Sequence, residues 1–148
     1  MSKNELVHEW CAGVEYVARI ESFLREIEDI MIPALTNRVN IDAYSQKLAA
    51  NADTIFIVKD SVDIASCSIY CNSEDAFISS IAVKQEFFHN NIGTIMMKTV
   101  IEHSREKKCK RILLRVYSDN IRAIRFYKKN GFYITEALDN WKVMVLNL

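Results

Sequence analysis

The order of apolar patterns along this chain predicts a mixed α/β fold with one central sheet. Three observations lead there. Helical periodicity fills the first third, three β-branched runs follow between Thr54 and Val83, and strand and helix patterns alternate from Ile92 onward. The chain has 148 residues, which suits one domain over 1–148 whose core needs no staple.

The elements follow in order. Leu6 to Trp10 is a poor strand; a helix, or an irregular edge that leaves residues 1–13 without a regular first strand, is the alternative. Val14 to Ile32 is the clearest helix of the first half, with Val14, Val17, Ile20, Leu24, Ile27 and Met31 recurring every three or four positions and Pro33 ending it. Thr36 to Asn40 is a polar connection, a candidate mobile loop on the acceptor side, and a second helix starts after Asn40 with Ile41, Tyr44 and Leu48 on its buried side. Thr54 to Lys59 is β-branched and aromatic. Asp60-Ser61 is a turn, and Ile64 to Cys71 pairs back as a hairpin. Ala76 to Val83 makes a third strand, Ile92 to Lys107 a helix and Lys110 to Tyr117 an alternating strand. A short helix follows, then strands near Phe132 to Ala137 and Lys142 to Leu148.

Composition narrows the function. Lysine plus arginine balances aspartate plus glutamate, 19 against 19, so no global field points to nucleic acid or an acidic membrane. Between Arg105 and Lys129, however, ten basic residues face two acidic ones, which suits either a polyanionic ligand or a solvated helix face. Aromatic residues are too sparse there for base-stacking platforms. The four cysteines, Cys11, Cys67, Cys71 and Cys109, show no metal-ligand spacing, and no metal is expected. They read as reduced thiols of a cytoplasmic protein. The polar stretch from Met1 to Trp10 is unlike a signal peptide, and no apolar run reaches membrane-spanning length.

The richest signal lies between Ser118 and Phe132. Ser118 and Asp119 can cap a helix start, Ala123, Ile124 and Tyr127 share one face, and Gly131 after Asn130 supplies a left-handed stop. Asn120, Ala123, Phe126-Tyr127 and Gly131-Phe132 stand at the spacing found in the fourth helix of the GNAT superfamily of acyl-CoA-dependent N-acetyltransferases, which this segment resembles. The likeness covers Thr54 to Leu148 well and the first helices by order. It implies a central, mostly antiparallel twisted sheet flanked by about four helices.

The resemblance extends to the loop before Ile92. A strand running into a loop and a helix amino terminus presents free amides and the positive end of a helix dipole to an anion. In the family this loop cradles the coenzyme A pyrophosphate, which implies that role for His89, Asn90, Asn91, Ile92, Gly93 and Thr94. The family's customary basic position falls on Phe88, its first required glycine on Asn91 and its second on Gly93. Asparagine adopts left-handed backbone more readily than other non-glycine residues, so Asn91 is a tolerable replacement. Phe88 offers no donor. Backbone groups near Ile81, Ala82 and Val83 would pair with the pantetheine amides, and Asn120 would bind the same arm.

Transfer of an acyl group from a thioester to an amine needs a neutral amine, a donor to the oxyanion and a proton for the leaving thiolate. The resemblance makes Tyr127 the general acid and acetyl-CoA the cosubstrate, with no metal. It implies a small-molecule primary amine as acceptor, an amino sugar or sugar nucleotide being one candidate, with peptide amino termini and lysines also open, and leaves a homodimer open. No base is evident: Glu74, Asp75, Glu86 and His89 are near in sequence only, Ser79 and Ser80 stand where some relatives place a glutamate, and a water chain is the other candidate. Each site residue also has a structural reading, Tyr127 as core and Asn120 as a plain cap. The rival function is a GNAT-like module that binds acyl-CoA or a protein without turnover.

Overall fold

A computed structural model describes residues 5–148. Seven strands form one sheet in the order β1-β2-β3-β4-β5-β7-β6. They are β1 Val7–Cys11, β2 Asp53–Lys59, β3 Val62–Tyr70, β4 Asp75–Val83, β5 Arg111–Tyr117, β6 Tyr133–Leu138 and β7 Trp141–Asn147. The helices are α1 Val17–Ile27, α2 Ile41–Asn51, α3 Ile92–Glu106 and α4 Ile121–Lys129. Every neighbouring pair of strands is antiparallel except β4 and β5.

Two of the expected elements need correction. Leu6 to Trp10, read as a weak or missing strand, overlaps β1, a regular edge strand whose five residues all pair with β2. Tertiary contacts outweigh its low propensity: Trp10 stacks on His103 of α3 at 3.9 Å, and Arg19 of α1 bonds Glu9 at 2.8 Å and Asp63 at 2.7 Å. The long first helix is shorter than its periodicity suggested. Its α-helical part is Val17–Ile27, and 3-10 turns at Val14–Tyr16 and Glu28–Ile30 tighten both ends. Val14 is consequently 67 % exposed, outside the core.

Strand alternation sends apolar side chains to both faces of the sheet. Ile55, Ile57, Cys67, Ile69, Ile112, Leu114 and Val116 pack with Met96, Met97 and Val100 of α3 and with Ile124 and Tyr127 of α4. Phe56 joins Ile20, Phe23, Leu24 and Ile27 of α1 and Ile41 and Leu48 of α2 on the other face. Each face therefore has its own helix pair and its own core.

The parallel pair β4–β5 is the unusual seam. It is matched only from Asp75–Phe77 against Arg111–Leu113. On its other side β4 pairs with β3, where Ser68 faces Ser80 but Ile69 faces Ile78, leaving Ser79 as an extra residue. A bulge of this kind bends the strand that carries it. Beyond Phe77 the two strands part, and a gap opens between Ile78–Val83 and Leu114–Tyr117.

Candidate active site

The gap is the floor of a cleft of about 490 Å³. Its walls include Ser79, Ser80, Ile81, Ala82 and Val83 of β4, Leu114 to Tyr117 of β5, His89, Asn91, Gly93 and Thr94 ahead of and within α3, and Asn120, Arg122 and Tyr127 at and in α4. Main-chain direction decides what β4 offers. The Lys84 amide donates to Ile64 of β3 at 2.8 Å, and amide directions alternate along a strand. Ala82 then also faces β3, while the amides of Ile81 and Val83 turn toward the gap. The expected trio thus splits into two groups that present amides to the cleft and one that holds the sheet together.

The loop before α3 adopts the conformation that the substitution at its glycine position requires. Asn91 has φ 58° and ψ 17°, a left-handed backbone, and its side chain makes no capping bond. The amides of Ile92, Gly93 and Thr94 open α3 without backbone acceptors among the described residues, so they carry the positive end of the helix. Asn90 departs from expectation: its amide is taken by the Phe87 carbonyl at 3.2 Å and it does not line the cleft. The Ile92 side chain is buried in the core, which leaves only its main chain for the loop. Gly93 is needed for space. A Cβ there would meet the Phe126 ring at 3.1 Å, so α3 and α4 approach closely only because it has none.

Phe88 occupies the place of the customary cation, yet the place is not without charge. Arg122, the second residue of α4, lies with its guanidinium carbon 3.6 Å from the centroid of the Phe88 ring, a cation–π contact. A helix cation thus lies over the ring that stands at the loop position.

Asn120, not Ser118 or Asp119, is the N-cap of α4: its Oδ1 accepts from the Ala123 amide at 3.2 Å. The Ser118 amide is engaged by Asn140, and the Asp119 carbonyl accepts from Ile121. Capping uses only the carbonyl oxygen of Asn120, so its amide NH₂ stays free on the cleft wall. At the other end of α4, Gly131 (φ 96°) lets its own amide reach Lys128 and the Phe132 amide reach Tyr127, both at 3.0 Å. This lock fixes the backbone of Tyr127. The Tyr127 ring packs against Phe126 and Phe132, and its hydroxyl has no hydrogen-bond partner among the described residues. Burial, with a smaller effect from nearby Cys67, pushes the Tyr127 phenol well above the ordinary tyrosine value. It is therefore protonated across the physiological range, fit to donate and not to accept.

No aspartate or glutamate lines the cleft among the described residues. Glu74 pairs with Lys110 and Asp75 with Arg111 at the opposite end of β4, so neither is placed as a base. His89 and the two serines do reach it. Ser79 is tied by its hydroxyl and carbonyl to the Tyr44 phenol. Sequence reasoning missed Arg38, Arg115, Tyr117 and Trp141, all of which line the cleft. Alternation along Lys110 to Tyr117 could have put Arg115 and Tyr117 on the face opposite Leu114 and Val116; Arg38 falls within the Thr36 to Asn40 connection read as an acceptor-side loop but was not singled out there, and nothing local marks Trp141.

One other cluster could hold a metal, contrary to the expectation from spacing. Asp53, Cys71 and His103 bring one ligand atom each within 4.8 Å of one another, at the strand ends remote from the cleft. Asp53 and His103 satisfy each other there at 2.8 Å. All four cysteines are free, and burial raises the Cys71 thiol to about 12.

A cleft between splayed parallel strands, roofed by a left-handed turn and a helix start, can now be compared with known proteins. Residues 23–132 match the Acetyltransferase (GNAT) family. The chain belongs to that family. It is 29 % identical over 107 residues to a candidate ribosomal protein bS18-alanine N-acetyltransferase of Bacillus subtilis, covering 71 % of each chain. It is 39 % identical over 69 residues to the spermine/spermidine N(1)-acetyltransferase of the same organism, covering 45 % of each. The crystal structure of PaiA N-acetyltransferase from Thermoplasma acidophilum, in complex with coenzyme A, superposes with a TM-score of 0.80 over 97 % of this chain and 99 % of that one. At 16 % identity, that likeness speaks for the GNAT fold alone. Among the described residues no helix is long and apolar enough to cross a membrane.

Proposed function

We propose that this GNAT enzyme transfers the acetyl group of acetyl-CoA to the primary amine of a small molecule by direct attack within the β4–β5 gap. The observation that carries the reading is Tyr127, whose protonated hydroxyl lies unpaired on the cleft wall. The free amides of Ile92, Gly93 and Thr94, with Arg122 over Phe88, suit the diphosphate. The outward amides of Ile81 and Val83 suit the pantetheine arm and the oxyanion. The NH₂ of Asn120 supports the arm from the other side.

The proton balance is simple. The amine nitrogen bonds the carbonyl carbon, the C–S bond breaks, the thiolate takes the Tyr127 proton, and the surplus amine proton passes to water and replaces the one that Tyr127 gave. An ordinary thiol titrates near 8.5, so a phenol raised above about 10 is a reluctant donor. A thiolate forming in the same dry cleft is raised as well, which narrows the mismatch. With no carboxylate on the walls, a water chain past Ser79 and Ser80 is the favoured base.

The rival reading, a module without turnover, rests on Phe88 and on the missing carboxylate. Arg122 over the Phe88 ring weighs against the first ground. Thiol release from acetyl-CoA across an amine panel tests the choice: amine-dependent release that Tyr127→Phe abolishes supports the enzyme, and tight coenzyme A binding with no release from any amine supports the silent module.

A further inference from the structure

Charge on the acceptor side of the cleft goes beyond what acetyl transfer requires. Arg38, from the connection between α1 and α2, and Arg115, on β5, place their guanidinium carbons 5.7 and 5.3 Å from the centroid of one ring, Trp141. Neither has a carboxylate partner among the described residues, whereas Arg25 and Arg111 each grip one and Arg19 grips two. A guanidinium within about 6 Å of an indole centroid is attracted by the ring, and its N–H donors stay available for an oxyanion.

The diphosphate does not account for this pair. Leu114 and Val116 pack in the core under α3 and α4, so Arg115 between them points to the other face, where α1 and α2 lie. Trp141 is on that face too, opposite Tyr117 in the β5–β7 ladder. The cations that suit the cofactor phosphates, Arg122 and Lys129, belong to α4. Two separate cationic walls thus border one cleft that has no acidic wall. A polyamine, the acceptor in the name of one relative, would carry its second positive charge toward arginines with nothing to neutralise it.

We propose that Arg38, Arg115 and Trp141 form an anion subsite, and that the acceptor is an amine bearing a carboxylate or a phosphate. The substrate class rests on the acetyl-transfer reading above; the subsite does not. The arginines orient the acceptor by its anion and act on specificity, with no part in the transfer itself.

The test has a kinetic and a binding arm. Thiol release is measured with acetyl-CoA and matched acceptors: glucosamine 6-phosphate against glucosamine, alanine against alaninamide, and spermidine. The phosphate or the carboxylate member of its pair should lead by about tenfold or more in kcat/KM, and which pair shows it identifies the anion. Arg38→Gln and Arg115→Gln should bring each lead to within about twofold, leaving KM for acetyl-CoA unchanged. In the binding arm, inorganic phosphate or acetate titrated into Trp10→Phe protein should quench Trp141 fluorescence saturably, and either arginine substitution should abolish the quenching. Spermidine or the neutral amines leading, with the arginine variants unchanged, would overturn the proposal and leave acetyl transfer standing. Saturable, arginine-dependent quenching without thiol release from any amine would keep the subsite and sink the acetyl-transfer reading. Wild-type protein that neither quenches nor prefers an anionic amine would end the proposal.

Discussion

The two sides of the cleft are built in different ways. On the α3–α4 side recognition is largely main chain: a left-handed Asn91, free amides at the start of α3, outward amides on β4, and a glycine that lets two helices meet. On the α1–α2 side it is side chain: Arg38, Arg115 and Trp141 arrive from a connection, a strand and the start of another strand. Backbone geometry tolerates sequence change as long as torsions and spacing hold. A side-chain site changes specificity with a single substitution. The difference teaches that in this chain the two sides respond differently to substitution, one through torsions and spacing, the other through the identity of single side chains.

Four substitutions, with the anion test above, can break or sharpen this contrast. The largest effect is expected for Tyr127→Phe, about a hundredfold loss in kcat with KM for acetyl-CoA little changed. Because burial raises the Tyr127 phenol, its proton is lost only above about pH 10. The kcat/KM profile of the wild type should therefore rise as the amine deprotonates and show no falling limb from Tyr127 below that pH; a limb near pH 8 would remove it as the acid. Gly93→Ala should cost about 1–3 kcal/mol in denaturant unfolding, since the new methyl must displace the Phe126 ring. Arg122→Ala should raise KM for acetyl-CoA about tenfold, where Arg115→Gln leaves it alone. An unchanged KM would show that Phe88 needs no substitute cation. The smallest effect separates cap from contact: Asn120→Ser keeps a capping oxygen, so stability should move by less than about 0.5 kcal/mol while KM for acetyl-CoA rises a few-fold.

Legibility followed the same division. The fold and the α3–α4 side were readable because their signals are local: periodicity, a glycine stop at Gly131, an asparagine tolerated at Asn91. Within that side, the sequence left the cap open among Ser118, Asp119 and Asn120, since three adjacent residues can all cap and only the backbone decides. Arg122 was one of four equivalent basic residues until the Phe88 ring singled it out. β1 was nearly invisible because the Trp10–His103 stack and the Arg19 ion pairs that secure it join positions far apart in sequence. The loop that holds Arg38 was legible as a polar acceptor-side connection, but its meeting with Arg115 and Trp141 joins distant positions and was not.

The surplus residue on β4 has an implication for how such a cleft arises. Removing Ser79 alone would let β4 match β3 without interruption and straighten, free to continue its ladder with β5 past Leu113. The seam would zip closed, and the main-chain groups now open to a ligand would bond each other. An ordinary continuous sheet and an enzyme with a substrate channel can thus be separated by the insertion of one codon.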